Sequence, residues 1–167
     1  LTDEAVRGYR TEASMRPPLR SKEDVAALRK GLKEGVIDAI ATDHAPHASF
    51  EKEIEFVKAA HGLVGLETAL PLTLKLVEEK VIKLTDAIRL LSTQPARIAG
   101  FKKRGTLKPG SDADIVLFDE KAKVKIDAAK FKSKSRNTPF DGWTAKGQVK
   151  ATIVGGKVKY YEGDISS

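Results

Sequence analysis

The sequence predicts an α/β protein in which strand–helix alternation over residues 1–104 gives way to strands and turns over residues 105–167. Three observations carry that reading. The apolar run Val36-Ile37-Asp38-Ala39-Ile40-Ala41 reads as a buried strand of a parallel sheet, and Pro46 prevents its continuation because proline has no N–H to give a ladder. Apolar residues at helical spacing flank that run. After Arg104 the pattern changes to lysines alternating with apolar residues, broken by Pro109-Gly110 and Gly155-Gly156.

Taken in order, Ser21 is placed to cap a helix, with Asp24 three residues later in capping-box position. Val25, Leu28 and Leu32 then follow on one face, and Gly35 fits a C-terminal stop. Residues 65–80 read as a second helix, with Leu66, Leu70, Leu74 and Val77 on one face and Pro71 bending its start. Thr85 can cap a helix carrying Ala87, Ile88 and Leu91. Thr93 and Pro95 then open a short one reaching Gly100. Beyond the turn at Pro109-Gly110, residues 113–119 form a strand. The lysine alternation of 121–134 gives a strand with one wet face, which guards an edge against stray pairing. Residues 151–161, centred on Gly155-Gly156, form a tight hairpin.

Composition narrows the function classes. The net charge is +7, but the lysines are scattered and no zinc finger, RNP aromatic pair or basic helix accompanies them, so nucleic acid is not expected as a partner. An anionic small molecule or acidic partner suits the charge. No apolar run approaches the ~20 residues that span a membrane, and there is no secretory apolar segment at the start. Cysteine is absent, so disulfides and thiolate zinc sites are excluded; a reducing cytoplasm, the expected location, fits that without being demanded by it.

The chemistry is concentrated in Ala41-Thr42-Asp43-His44-Ala45-Pro46-His47, directly after the apolar run. A carboxylate at a strand end can bind a metal and shuttle a proton, and an imidazole four residues on can hold an anion. The same residues also suit a solvated loop. The wider context decides between these. Arg16-Pro17-Pro18-Leu19-Arg20 lies upstream; Gly62-Leu63-Val64-Gly65-Leu66-Glu67-Thr68-Ala69-Leu70-Pro71, Ser92-Thr93-Gln94-Pro95-Ala96-Arg97, Gly105-Thr106-Leu107-Lys108-Pro109-Gly110-Ser111-Asp112-Ala113-Asp114 and Ser135-Arg136-Asn137-Thr138-Pro139-Phe140 lie downstream. In this order the chain resembles the dihydroorotases of the amidohydrolase superfamily over nearly its whole length.

That resemblance implies the C-terminal part of a (β/α)8 TIM barrel of the amidohydrolase type over 1–104. It implies a small β-sandwich subdomain with the C-terminal tail over 105–167. It places Asp43 at the end of barrel strand eight as metal contact and as general base and acid, and His47 on the substrate carboxylate. Arg16 falls on a substrate-contacting position that is asparagine in many relatives, where a guanidinium can pair bidentately with a carboxylate; a solvated loop charge is the alternative. His61 and Gly62 stand where many relatives have Pro-Gly, whose backbone contacts the substrate ring, although His61 departs from the pattern and also suits a surface position. His44 is a structural neighbour, and Glu12, which departs from a common asparagine, has no assigned role. Residues 48–61, including Phe50 and Lys52, are placed to form a loop over the ring.

The family's cofactor is zinc, one or two ions per active site. His44, His47 and His61 are the only histidines and none forms the family's His-x-His pair. Three protein ligands are usual for catalytic zinc, so the remaining ligands are expected outside this chain, which alone would be inactive. The implied activity is reversible cyclisation of N-carbamoyl-L-aspartate to L-dihydroorotate in de novo pyrimidine synthesis. The implied partners are that substrate pair, the N-terminal part of the same enzyme, and a second copy or aspartate transcarbamoylase. A hydantoinase or allantoinase, and a non-catalytic subunit supporting aspartate transcarbamoylase, remain as alternatives.

Overall fold

Among the described residues backbone pairing takes two forms: one isolated parallel bridge, between His44 and Leu63, and one four-stranded sheet near the C-terminus. The computed structural model describes residues 1–165 and groups them into two compact units. The first comprises Leu1–Glu34, Ala41–Leu70 and Lys125–Thr144; the second comprises Gly35–Ile40, Pro71–Val124 and residues from 145 onward. Both units therefore draw on sequence from either side of residue 104.

In the first unit, helix α1 (Lys22–Glu34) opens as its sequence predicts. The Asp24 N–H donates to Ser21 Oγ at 3.2 Å while the Ser21 N–H donates to Asp24 Oδ2 at 3.3 Å, so two amides without helical partners are satisfied reciprocally. Gly35, at φ 75°, ends the helix in the left-handed region that a side chain disfavours. The apolar stripe behaves differently from expectation. None of α1's residues is buried, and Leu28 is 55% exposed, so capping rather than burial defines this helix. The apolar interior of this unit is instead Ala13, Ala59, Leu63, Val64, Ile126, Ala128 and Phe131. A short helix α2 (Ser49–Lys52) starts at Ala48, whose N–H donates to Glu51 Oε2 at 2.8 Å.

Residues 36–41 form no strand among the described residues, which corrects the buried-strand expectation. Val36 is 73% exposed, and the Ile40 N–H donates to the Leu90 carbonyl, within a helical turn, at 3.0 Å. Apolar content alone cannot make a ladder without a neighbouring backbone in register. Pairing begins only at His44, which bridges Leu63 in parallel, with the Ala45 N–H donating to the Leu63 carbonyl at 2.9 Å.

The second unit holds most of α3 (Ala69–Glu78), which starts four residues later than the spacing predicts. Residues 65–68 form a turn instead, closed by Thr68 Oγ1 donating to the Gly65 carbonyl at 3.3 Å. Pro71 then falls in the first turn of α3, where its missing N–H leaves no bond unmade. Helices α4 (Leu84–Ile88) and α5 (Gln94–Ile98) run together through a π-helical turn, Arg89–Thr93, rather than forming separate pieces. Thr85 lies inside α4; the cap is Lys83, whose N–H donates to Asp86 Oδ2 at 3.2 Å. Thr93 keeps helical geometry, and its hydroxyl donates to the Gly105 carbonyl at 3.0 Å.

Strands β1 (Ile115–Lys125), β2 (Thr144–Val154), β3 (Lys157–Tyr161) and β4 (Asp164–Ile165) form the sheet in the order β1-β2-β3-β4. β1 takes in the lysine alternation as far as Lys125, after which a short 3-10 helix, Ala128–Lys130, replaces the expected continuation. The hairpin forms as predicted: Val154 faces Lys157 across Gly155 and Gly156, at φ 56° and 77°. Positive φ at both central residues is what a type I′ turn demands. Lys159 is left over where the register shifts between Thr152 and Ile153, a bulge on β3. Leu74, Ile82, Ala87, Leu90, Ala145 and Ala151 are buried in this unit.

Gly105 carries the tightest backbone constraint of the second unit. It sits at φ 70°, and a Cβ there would lie 2.6 Å from Ala96 Cβ and 3.0 Å from the Ser92 carbonyl oxygen. Gly105→Ala is expected to destabilise the protein by about 2 kcal/mol, from left-handed strain and overpacking together. Urea denaturation checks this; an unchanged midpoint refutes the constraint.

Candidate active site

All the residues singled out for chemistry fall in the first unit, where the segment 43–47 meets the segment 61–65. The approach is unusually close. A Cβ on Gly62 would stand 2.6 Å from Ala45 Cβ, and one on Gly65 would stand 3.0 Å from both Thr42 Cβ and the Thr42 carbonyl oxygen. Gly62 is also at φ 123°. Glycine at both positions lets the two backbones run side by side.

Asp43 is exposed and adopts φ 45°, a region that a non-glycine residue enters at some cost and that asparagine and aspartate tolerate best. No hydrogen bond to its carboxylate occurs among the described residues. His44 turns inward: the Gly65 N–H donates to its Nδ1 at 3.1 Å, with the Leu66 N–H at 3.4 Å. An amide can only donate, so Nδ1 is the acceptor and the neutral ring carries its proton on Nε2.

His47 is held from two sides. Its N–H donates to Asn137 Oδ1 at 3.2 Å, and its Nε2 donates to the His61 carbonyl at 3.0 Å. With Nε2 so committed, Nδ1 faces the Glu51 carboxylate at 3.8 Å and can donate to an anion only when the ring carries both protons. The 61–62 peptide is equally fixed. Gly62 donates its N–H to the Ser14 carbonyl at 2.8 Å, and its own carbonyl accepts from Lys52 Nζ at 3.1 Å and Asn137 Nδ2 at 3.2 Å. Lys52 also donates to the Ala60 carbonyl at 2.8 Å, and the Ser14 hydroxyl lies 2.7 Å from His61 Nδ1.

The local field is positive. Burial pushes the His61 imidazole below its ordinary value, and the charges of Arg16, Lys52 and His47 lower it further. Burial also lowers the Lys52 ammonium, partly offset by the Glu12 carboxylate. Cationic groups gathered around one peptide suit an anionic ligand. The structure thus brings His47, His61 and Gly62 into one bonded cluster, and Arg16 acts on it through its charge, while itself exposed. Asp43 stands apart from that hydrogen-bonded set. Among the described residues no group of three histidines or carboxylates could hold a metal ion, so these residues do not by themselves fit a zinc centre.

Sequence reasoning missed three participants. Ser14 and Lys52 carried no motif signal at all as ligands of the 60–62 backbone. Asn137 stood in the quoted Arg-Asn-Thr-Pro-Phe run, which marked the family without suggesting a task. Within 48–61, Phe50 is 74% exposed, whereas Lys52 is buried and donates to the Ala60 and Gly62 carbonyls.

The lowered His61 imidazole has a consequence for stability. Below 6.5 the unfolded chain binds a proton that the folded chain resists, so stability is intact above that pH and falls as pH drops through it toward the folded value. His61→Gln is expected to remove that part of the loss, measured as a smaller difference in denaturation midpoint between pH 7.5 and pH 5.5. An identical difference in both proteins would refute it.

Comparison with known proteins places this geometry. The amidohydrolase family matches residues 1–159. Dihydroorotase from Geobacter metallireducens is 57% identical over 160 residues, covering 96% of this chain and 38% of that protein. Dihydroorotase from Syntrophus aciditrophicus is 49% identical over 162 residues, with 97% and 38% covered. Among solved structures, the L-hydantoinase of Arthrobacter aurescens superposes with a TM-score of 0.94 at 32% identity, covering all of this chain and 38% of that one. A D-hydantoinase gives a TM-score of 0.86 at 30% identity over 93% of this chain and 35% of its own. The chain therefore spans well under half the length of the relatives it matches. No helix among the described residues is long and apolar enough to cross a membrane. A match across nearly all of the sequence, with solved hydantoinases sharing its backbone course, shows that the chain belongs to the amidohydrolase family.

Proposed function

We propose that this chain is the C-terminal part of a zinc-dependent dihydroorotase, closing N-carbamoyl-L-aspartate to L-dihydroorotate and reopening it. The observation that carries the reading is the bonded cluster of His47, His61 and Gly62 under the charges of Arg16 and Lys52, with His47 four residues from Asp43, whose carboxylate takes no hydrogen bond among the described residues. The substrate on either side of the reaction bears a carboxylate; Arg16 offers it charge-assisted donors, and His47 adds one when its ring carries both protons. The names and 49–57% identities of the curated relatives support the same substrate.

In this proposal residues 1–104 supply the last part of a (β/α)8 barrel and residues 105–167 part of a β-sandwich. Asp43 takes the proton from the water that attacks the ring amide carbon and returns it to the leaving nitrogen, and ring closure runs the same steps backwards. Its exposed, acceptor-only carboxylate is free for that traffic. Gly62 enters as a shaped wall, because its N–H and carbonyl are both engaged within the chain. Zinc, one or two ions, would draw its other ligands from outside this chain and would activate the attacking water. The N-terminal part of the enzyme is thus the first partner, a second copy or aspartate transcarbamoylase a further one, and the cytoplasm the setting. A hydantoinase activity is the second reading, favoured by the superposition on L-hydantoinase and disfavoured by the carboxylate-binding charges.

Dihydroorotate hydrolysis with zinc, by this chain alone and with the N-terminal part added, tests the proposal. Activity is expected only in the mixture, and Asp43→Ala should lower it by about a thousandfold or more, the loss of an acid–base group. Turnover of hydantoin with none of dihydroorotate would select the second reading. Arg16→Met is expected to raise KM for dihydroorotate about tenfold to a hundredfold with kcat less changed, the value of one charge-assisted pair. An unchanged KM would return Arg16 to the solvated loop.

A further inference from the structure

We propose that Asn137 is the positioning residue of the carboxylate-binding site, holding His47 at a fixed distance and angle from the His61–Gly62 peptide. The proposal deepens the dihydroorotase reading and rests on it. Asn137 is only 6% exposed, and its side-chain amide spends both its oxygen and its nitrogen on backbone. Oδ1 accepts from the His47 N–H at 3.2 Å; Nδ2 donates to the Ala45 carbonyl at 2.9 Å and to the Gly62 carbonyl at 3.2 Å. Its main-chain carbonyl accepts from the Val64 N–H at 3.0 Å. One residue thus bonds both sides of the juncture between segments 43–47 and 61–65, from about 75 to 92 positions away in sequence.

The pattern needs an amide. The group it serves on His47 is a donor, and the groups it serves on Ala45 and Gly62 are acceptors, so a carboxylate would repel two carbonyls and a hydroxyl would be too short to span them. The segment that delivers Asn137 is itself tied down. The Lys132 and Ser133 N–H groups donate to the Glu67 carboxylate at 2.9 and 3.0 Å, and Arg136 donates to the Ser133 and Ser135 carbonyls. Among the described residues Asn137 makes no hydrogen bond to Asp43. Its effect passes through His47, and a ring displaced by 1 Å loses much of a charge-assisted bond.

The experiment is a double-mutant cycle in the full-length enzyme, pairing Asn137→Asp with His47→Ala and reading KM and kcat for dihydroorotate. Asn137→Asp alone is expected to raise KM about tenfold with kcat within about threefold, and in the His47→Ala background to change KM by less than about twofold. Effects that multiply, or a fall in kcat at unchanged KM, would overturn the proposal. If Asn137→Asp does not fold, Asn137→Ser serves in the same cycle. If the unaltered enzyme fails to turn over dihydroorotate, the functional reading falls, and the positioning role is read by nitrogen-labelled NMR of this chain. The His47 Nε2–H signal, protected by the His61 carbonyl, should then be lost in Asn137→Ser; its retention would overturn the role of Asn137 independently.

Discussion

The close passage of two backbones, 42–45 beside 62–65, is the constraint on which the rest of the site depends. Gly62 and Gly65 are the points of contact, and a single added carbon at either would have to displace Ala45 or Thr42. Because the strands of chain are that near, one backbone bridge at His44 and Leu63 suffices to align them. Asp43 and His47 then follow from one of the aligned segments and His61 from the other, with Arg16 and Lys52 brought up from elsewhere in the chain. The absence of side chains at two positions creates the proximity of functional ones at three others.

Such a narrow juncture leaves little room for water, and the polar groups inside it are paired within the protein. No buried side-chain nitrogen or oxygen lacks a partner among the described residues. Lys52 illustrates the cost and its offset. A buried ammonium is unfavourable, yet two carbonyls receive its protons and the Glu12 charge opposes the loss of its own. The same carbonyls, at Ala60 and Gly62, are thereby kept from wandering. Electrostatics and backbone geometry here are a single arrangement.

Local rules were legible in the sequence, and rules that need a distant neighbour were not. The reciprocal cap of Ser21 and Asp24, the stop at Gly35 and the Gly155-Gly156 hairpin are decided within a few residues, so spacing revealed them. The supposed strand at 36–41 failed because apolarity does not specify a pairing partner. Thr85 and Thr93 looked like helix starts, yet the cap at Lys83 puts Thr85 inside α4, and backbone continuity through the π-helical turn keeps Thr93 helical. At the candidate site, a motif and the resemblance it carries pointed to Asp43, His47 and Arg16. Asn137 carried no such announcement, since an amide that bonds only backbone leaves no chemical signature in a string of letters; its meaning lies in contacts from about 75 positions away or more.

His44 and Asp43 are neighbours in sequence with opposite offerings. The Gly65 amide has claimed the lone pair of His44 Nδ1, so the neutral imidazole keeps its N–H at Nε2 and can only donate there. Asp43 faces outward with oxygens alone. Two consecutive residues therefore print a polarity on the site, acceptor then donor, along a few ångströms of chain. The left-handed backbone at Asp43 and the amide bound by His44 thus set, one residue apart, an exposed acceptor and a donor of fixed tautomer.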